Sequence, residues 1–223
     1  MDTRSYCLQE LQIALDSSHP RHILPEILVG ERVLDIGCGA GQTLLAACPY
    51  RQPGAGGHCM VCARTDCPPW ASGVDIDPEV LRIGEEIAGR MDLRNAAAEH
   101  LPYGNSEFDL VISRVSLPYT DLPKAAREMR RVLRTGGRIW LALHDFRMFK
   151  RQWTGSRTWR ERLFMSYVAA NSALLHLTLH TFSCFGRRES WQTESSILRI
   201  LKRCGFHAVR VEPGCCLVVT ARG

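Results

Sequence analysis

Three glycines at alternate positions constrain this chain more than any other feature of its sequence. Residues 33–41 read VLDIGCGAG, a short apolar run that breaks into Gly37, Gly39 and Gly41. The apolar run has the length of a buried strand, and the next residues, QTLLAA, are compatible with a helix. Because glycine permits tight turns and lets a ligand approach the backbone closely, the motif predicts a strand, a loop and a helix start that bind a cofactor.

The spacing of these glycines argues against a dinucleotide. A dinucleotide-binding loop has the pattern G-x-G-x-x-G, with its third glycine three positions after the second. Here Gly41 comes one residue too early, and position 42 is Gln. The acidic residue of the motif, Asp35, would repel a phosphate but would attract an ammonium or sulfonium group. The motif therefore favours a cofactor that carries positive charge.

The D-x-G-x-G-x-G pattern resembles the nucleotide loop of class I S-adenosylmethionine-dependent methyltransferases, and later segments follow the order of that family. Residues 73–77, GVDID, resemble its second strand. Residues 98–102 and 108–113 resemble the end of the third strand and the fourth strand, and residues 127–139 resemble a helix, a glycine stop and the fifth strand. The chain is identified as a member of this family, similar to its small-molecule enzymes of the type 11 pattern.

The resemblance implies an α/β fold with a Rossmann-like, seven-stranded, mainly parallel sheet, helices on both faces and an antiparallel last strand. Residues 1–223 would form one methyltransferase domain. Within it, residues 1–28 would be an N-terminal helical cap, residues 48–70 a cysteine-rich insertion, and residues 148–190 a helical substrate lid. The composition, 45% hydrophobic and 23% charged, is ordinary for a soluble globular protein.

The resemblance also implies where S-adenosylmethionine binds. Asp35 would favour the ammonium group of the methionine part, and Asp75 would accept both ribose hydroxyls. Ile76 would flank the adenine. Ala97 stands where the family often has an acid, so the adenine amino group would depend on Glu99 or on backbone. The predicted cofactor-binding residues are Asp35, Gly37, Gly39, Gly41, Asp75, Ile76, Ala98, Glu99 and Ser113.

The insertion at residues 48–70 predicts a metal site. It is rich in Gly, Pro and Cys and has no helix or strand period. A structural Zn²⁺ takes four tetrahedral ligands, commonly with one pair two to four residues apart. An iron–sulfur cluster and free thiols in a mobile loop are the alternatives. The zinc ligands would be Cys59, Cys62, Cys67 and a fourth from Cys48 or His58, with Cys48 in the predicted set.

His144 is the candidate catalytic residue, because it ends the fifth strand at the mouth of the expected crevice. An unperturbed imidazole has a pKa near working pH and could act as general base for a hydroxyl or thiol. His144 could equally orient substrate or cap the next helix. Residues 148–162 are basic and aromatic, and residues 163–185 are strongly apolar with recurring polar positions, so no integral membrane span is expected. A packing helix is the alternative to a lid.

The sequence therefore predicts methyl transfer from S-adenosylmethionine to a small hydrophobic or aromatic acceptor. The formal charge of +5 allows contact with nucleic acid but does not demand it. Residues 113–121 lack the Asn/Asp-Pro-Pro-aromatic tetrad of family members that methylate bases. Without an N-terminal signal pattern, we expect a cytoplasmic protein with reduced thiols. The alternatives are an RNA methyltransferase that uses the cysteine insertion and arginine-rich faces, a metalloid (arsenite-type) methyltransferase, and a non-catalytic S-adenosylmethionine-binding regulator.

Overall fold

The computed structural model describes residues 2–49, 71–88, 91–184 and 186–223. The strands are β1 (Val33–Ile36), β2 (Ala71–Asp75), β3 (Asp92–Asn95), β4 (Phe108–Arg114), β5 (Leu133–Leu143), β6 (His207–Pro213) and β7 (Leu217–Arg222). The α-helices are α1 (Thr3–Leu15), α2 (Gln42–Ala46), α3 (Pro78–Ala88), α4 (Leu122–Val132), α5 (Phe146–Gly155), α6 (Trp159–Thr178) and α7 (Glu194–Arg203). A short 3₁₀ helix spans Leu117–Tyr119.

These strands form one seven-stranded sheet with the order β3-β2-β1-β4-β5-β7-β6. The pairs from β3 to β5 are all parallel. The last strand, β7, is antiparallel to both β5 and β6, since a tight turn joins it to β6 as a hairpin. The predicted fold class, a mainly parallel seven-stranded sheet with an antiparallel last strand, is confirmed.

The core lies on both faces of the sheet because successive strand residues point to opposite sides. In β1, Leu34 and Ile36 pack in the larger cluster, which also takes residues from α4, α6 and α7. Val33 faces the other way, into a cluster with Leu44 of α2 and Leu110 of β4. Burial on both faces explains why the central strands read as nearly continuous apolar runs.

Helix α1, in the predicted N-terminal cap at residues 1–28, contacts the segment that follows the glycine loop. The Gln42 side-chain amide donates to the carbonyl of Cys7 at 3.5 Å. Glu10 pairs with Arg114 at the end of β4 at 3.1 Å, and each side chain is only 14% exposed. These contacts attach α1 to the carboxyl edge of the sheet, and its function as a cap stays a prediction.

The predicted lid is helical over only part of residues 148–190. Helix α5 begins two residues earlier, because the Asp145 carboxylate accepts from the Met148 amide at 2.9 Å and caps it. Helix α6 ends at Thr178, followed by Leu179 at φ +62°, and the chain then runs to α7 without a long helix. Across the ranges described, no helix is both long and apolar enough to cross a membrane.

Candidate active site

The parallel strands β1, β2, β4 and β5 end at one edge of the sheet, where open α/β folds bind their ligands. The loop after β1 carries the three glycines, and Asp75 ends β2. His144 follows β5 directly. The fold therefore brings the predicted cofactor residues and the candidate base to the same edge.

The glycine loop has a backbone that only glycine adopts easily. Gly37, Gly39 and Gly41 have φ values of +70°, +55° and +78°. A Cβ atom on Gly37 would lie 2.2 Å from the Cβ and Oγ atoms of Ser116, far inside van der Waals contact. The residues predicted from the motif thus have the conformation and the close packing that require glycine.

Two serine hydroxyls bind the backbone directly before the glycine loop. The Ser113 and Ser116 hydroxyls both donate to the Ile36 carbonyl, at 2.8 and 2.6 Å, and their oxygens are 2.7 Å apart. Ser113 is fully buried, so its hydroxyl acts inside the protein at the end of β1. Its predicted contact with the cofactor stays a prediction. Sequence reasoning missed Ser116, because only the fold brings it 80 residues back to the loop.

Asp75 is fixed by two backbone amides. Its Oδ2 accepts from the Gly39 amide at 2.9 Å, and its Oδ1 accepts from the Asp77 amide at 3.0 Å. A carboxylate has about four lone-pair sites, so each oxygen keeps capacity for one more donor. Ile76, the next residue, is 74% exposed. The arrangement suits a carboxylate that accepts two ligand hydroxyls beside an apolar contact.

Asp35 is a buried carboxylate without a partner. It is 1% exposed, and neither of its oxygens has a hydrogen-bond partner among the described residues. Burial raises its pKa to about 7, although the nearby Arg114 opposes this shift. Because a buried carboxylate is costly until it meets a cation or donors, this residue fits a ligand that brings an ammonium group.

The segment after β3 contributes less than the sequence predicted. Ala98 is buried, and one carboxylate oxygen of Glu99 accepts from the Asp121 amide at 2.6 Å. Asp121 in turn caps α4 through its own side chain. Glu99 therefore ties this segment to the start of α4, and its contact with adenine stays a prediction.

His144 is buried at 3% exposure, and its Nε2 atom has no hydrogen-bond partner within the described part of the chain. Burial lowers its pKa to about 4, so the imidazole is neutral at neutral pH. The Tyr119 ring meets the imidazole edge-on, with ring centroids 5.3 Å apart. Burial raises the pKa of Tyr119 to about 12, which keeps its phenol protonated. The helix cap that His144 could have supplied comes from Asp145 instead.

A cavity of about 460 Å³ begins at Tyr119 and extends between α5 and α6. Its volume is in the range that binds small molecules. Burial also raises the pKa of Glu189 in its wall. The lining residues are Tyr119, Gln152, Gly155, Ser156, Glu161, Phe164, Met165 and Glu189. Helices α5 and α6 therefore line a cavity that reaches Tyr119, the ring that contacts His144.

The predicted zinc ligands Cys59, Cys62 and Cys67, and the alternative ligand His58, lie outside the described residues. Cys48 is described and is buried after α2. Within the described ranges, no group of three or more His, Cys, Asp or Glu side chains could hold a metal ion. The metal site is therefore not supported by the described structure.

The comparison with known sequences agrees with the motif. A family model described as a methyltransferase domain matches residues 34–141. An uncharacterized methyltransferase, YcgJ of Bacillus subtilis, is 34% identical over 119 residues, which are 51% of this chain and 40% of that protein. The ubiquinone/menaquinone biosynthesis C-methyltransferase UbiE of Vibrio vulnificus is 35% identical over 117 residues, 49% of this chain and 40% of that protein. The chain thus matches about two fifths of the length of these curated relatives.

Solved structures share the fold. An S-adenosylmethionine-dependent methyltransferase from Mesorhizobium loti superimposes with a TM-score of 0.59 at 20% identity, covering 96% of this chain and all of that one. Another from Methanosarcina mazei gives a TM-score of 0.55 at 19% identity, covering 88% of this chain and 93% of that one. At these identities the likeness concerns the fold alone.

Proposed function

We propose that this chain belongs to the class I S-adenosylmethionine-dependent methyltransferase family and transfers a methyl group from S-adenosylmethionine to a small hydrophobic or aromatic acceptor. One observation carries the proposal. Asp35, a buried carboxylate that has no hydrogen-bond partner among the described residues, lies at the same sheet edge as the fixed carboxylate of Asp75 and the neutral His144. This edge offers a cationic cofactor two acidic contacts and offers an acceptor a base.

The residues that would hold the cofactor fit its chemistry. Asp35 would pair with the ammonium group, and the two oxygens of Asp75 would accept the ribose hydroxyls. The exposed side chain of Ile76 would cover one face of the adenine. Positions 37 and 39 of the loop require glycine, because a side chain at either would meet Ser116 or Gln42. When bound, S-adenosylmethionine supplies a methyl group on a cationic sulfonium, which is already a good methyl donor.

His144 would accept the proton of an acceptor hydroxyl or thiol. Its neutral imidazole is in the correct state for this at neutral pH, although the low pKa makes it a weaker base. Tyr119 keeps its proton and can donate a hydrogen bond to the acceptor. The lid helices would exclude water and orient the acceptor, and orientation can supply much of the rate when the donor is already reactive.

The cavity is compatible with a small acceptor. It is an open depression lined by residues of α5 and α6 and by Glu189, and its aromatic residues Tyr119 and Phe164 suit an apolar or aromatic ring. A curated relative is named as a ubiquinone/menaquinone biosynthesis C-methyltransferase. Intermediates of ubiquinone and menaquinone biosynthesis therefore belong in any panel of acceptors, beside alcohols and thiols.

The test follows a labelled methyl group from S-adenosylmethionine into three fractions: small organic molecules, RNA and arsenite. We expect label in the organic fraction, and its loss with Asp75→Ala. Label confined to RNA or to arsenite would replace the proposal with one of those alternatives. Tight cofactor binding without transfer to any fraction would instead make the chain a regulator that binds S-adenosylmethionine.

The zinc site remains a separate proposal that rests on the spacing of the cysteines. Cys59 and Cys62 have the spacing of a zinc knuckle, and Cys67 follows after four residues. Metal analysis of the purified protein tests it. About one zinc per chain would support a structural site, whereas a brown iron-containing protein or metal-free thiols would contradict it.

A further inference from the structure

Residues 146–163 comprise α5, the short link after it and the first turn of α6. They form an exposed surface that the proposed reaction does not explain. We call these residues the lid face. No residue of α5 is buried. The exposed fraction is 53% for Phe146, 43% for Trp153, 70% for Trp159 and 64% for Leu163. Single exposed apolar side chains are common, but four large ones within 18 residues indicate a surface that binds something.

On α5 the aromatic side chains share one side of the helix. Phe146, Phe149 and Trp153 recur at helical spacing, and their ring centroids are 5.9 and 5.8 Å apart in sequence order. Phe146 and Phe149 also contact the Trp191 ring, at 5.2 and 6.0 Å. The aromatic row is therefore held in place by the body of the protein while Phe146 and Trp153 stay about half exposed.

On α6 the exposed side chains point away from the core. The buried residues of this helix include Met165, Val168 and Leu175. At 100° per residue, Trp159 and Leu163 fall on the opposite side of the helix from that buried stripe. Burial in the sheet does not account for their apolar character, so these two residues face outward.

The lid face also carries a formal charge as large as the net charge of the whole chain. It contains six basic residues and one acidic residue, a formal charge of +5, which equals the net charge of all 223 residues. The acid, Glu161, accepts from the backbone amides of Arg157 and Thr158, so it serves the helix cap. Across the described structure, none of the six cations forms an ion pair. They are Arg147, Lys150, Arg151, Arg157, Arg160 and Arg162.

We propose that the lid face docks on the surface of a membrane that contains anionic lipids. Unpaired cations complement the lipid phosphates, and exposed Trp and Phe side chains enter the boundary between headgroups and acyl chains. Leu163 has no flat ring on which a nucleic-acid base could stack, so a lipid surface explains it better than RNA does. Since no described helix can cross a membrane, the contact is peripheral.

Docking does not depend on the cavity. At 100° per residue, Phe164 and Met165, which line the cavity from α6, fall on the side of that helix opposite Trp159 and Leu163. The docking surface and the cavity are therefore different surfaces of α6, and docking does not rest on the proposed methyl transfer.

Flotation with lipid vesicles tests the docking directly. The full chain should float with vesicles of phosphatidylcholine mixed with phosphatidylglycerol, and it should not float with phosphatidylcholine alone. Binding should weaken as salt is raised, because salt screens the charges. The measurement needs no methyl transfer, so it tests docking separately from the proposed function. A protein that floats but transfers no methyl group would support docking alone, and an active protein that does not float would contradict docking alone.

Two variants and a matched control separate this surface from general charge. Lys150→Glu with Arg162→Glu should weaken binding to the mixed vesicles at least about tenfold, because Lys150 lies beside Phe146, Phe149 and Trp153. Trp159→Ser with Leu163→Ser should weaken it by a similar factor at constant charge. The control reverses two exposed arginines on α4 and β6, which are Arg127→Glu with Arg210→Glu.

The control should bind within about twofold of the wild type, because its charges lie away from the lid face. Circular dichroism and thermal unfolding check that each variant is folded. Absence of flotation by the wild type, equal binding to neutral vesicles, or an equal loss in the control would each overturn the proposal. So would binding of RNA that the lid-face reversal abolishes, if the protein binds no vesicles.

Discussion

Asp35→Asn should stabilise the protein in the absence of cofactor, above all at high pH. Burial raises the pKa of Asp35 from 3.8 to about 7. Between those values the folded chain keeps a proton that the unfolded chain has lost, so stability falls as pH rises through this window. Above about pH 7 the whole shift of about three pKa units applies, and it corresponds to about 4 kcal/mol of lost stability.

Asparagine has nearly the shape of aspartate but carries no charge, so it escapes this cost. Its buried amide would still lack a partner, which costs about 2 kcal/mol. The net gain near pH 8 is then about 2 kcal/mol, equivalent to about 4–8 °C in Tm for a chain of this length. Near pH 5 the Asp35 carboxyl is already largely protonated in the folded protein, so the gain should vanish.

Thermal unfolding of both proteins at about pH 5 and pH 8, followed by circular dichroism, measures this difference. Calorimetric titration with S-adenosylmethionine should show that the same variant binds the cofactor at least about tenfold more weakly, because a charged contact is lost. An equal change in Tm at both pH values, or a loss of stability at the higher one, would refute the account of Asp35 as a strained carboxylate.

Asp75→Ala should weaken cofactor binding by about 2 kcal/mol in calorimetry, and unchanged affinity would exclude Asp75 from the site. Gly37→Ala should lower the free energy of unfolding by at least about 2 kcal/mol in urea, and Ser116→Gly in the same chain should restore part of it; no recovery would reject the contact. His144→Gln should reduce transfer to a hydroxyl acceptor about a hundredfold, which methyl-transfer kinetics would confirm or disprove. The pKa of His144 lies near 4 in the folded protein rather than at the ordinary value of 6.5. The free energy of unfolding should therefore fall by about 3 kcal/mol as pH drops through that range, and it should fall less in His144→Gln. An equal pH dependence of the two proteins in urea unfolding would contradict this.

Local sequence patterns, together with the order of the motifs that resemble the methyltransferase family, predict most of the fold. The apolar run of residues 33–36 predicts a strand, and the structure has β1 there. The resemblance also implies an antiparallel last strand, and β7 is antiparallel to its neighbours. These elements depend on neighbours in sequence, so sequence alone is informative about them.

The contacts that define the site depend on the fold and escaped prediction. Ser116 reaches the carbonyl of Ile36 from 80 positions away, and Glu99 accepts from the amide of Asp121. The sequence predicts that the charge of Asp35 attracts a cation, but its burial without a hydrogen-bond partner among the described residues is a property of the packed sheet. The end of α6 at Thr178 likewise reflects the turn at Leu179 more than any break in apolar pattern.

Calorimetric titration of the wild-type chain with S-adenosylmethionine tests the central claim most directly. The account predicts one site per chain with a micromolar Kd, about −8 kcal/mol, together with a higher Tm when the cofactor is present. No heat of binding and no change in Tm at millimolar cofactor would contradict the assignment of Asp35, Asp75 and the glycine loop as a cofactor site.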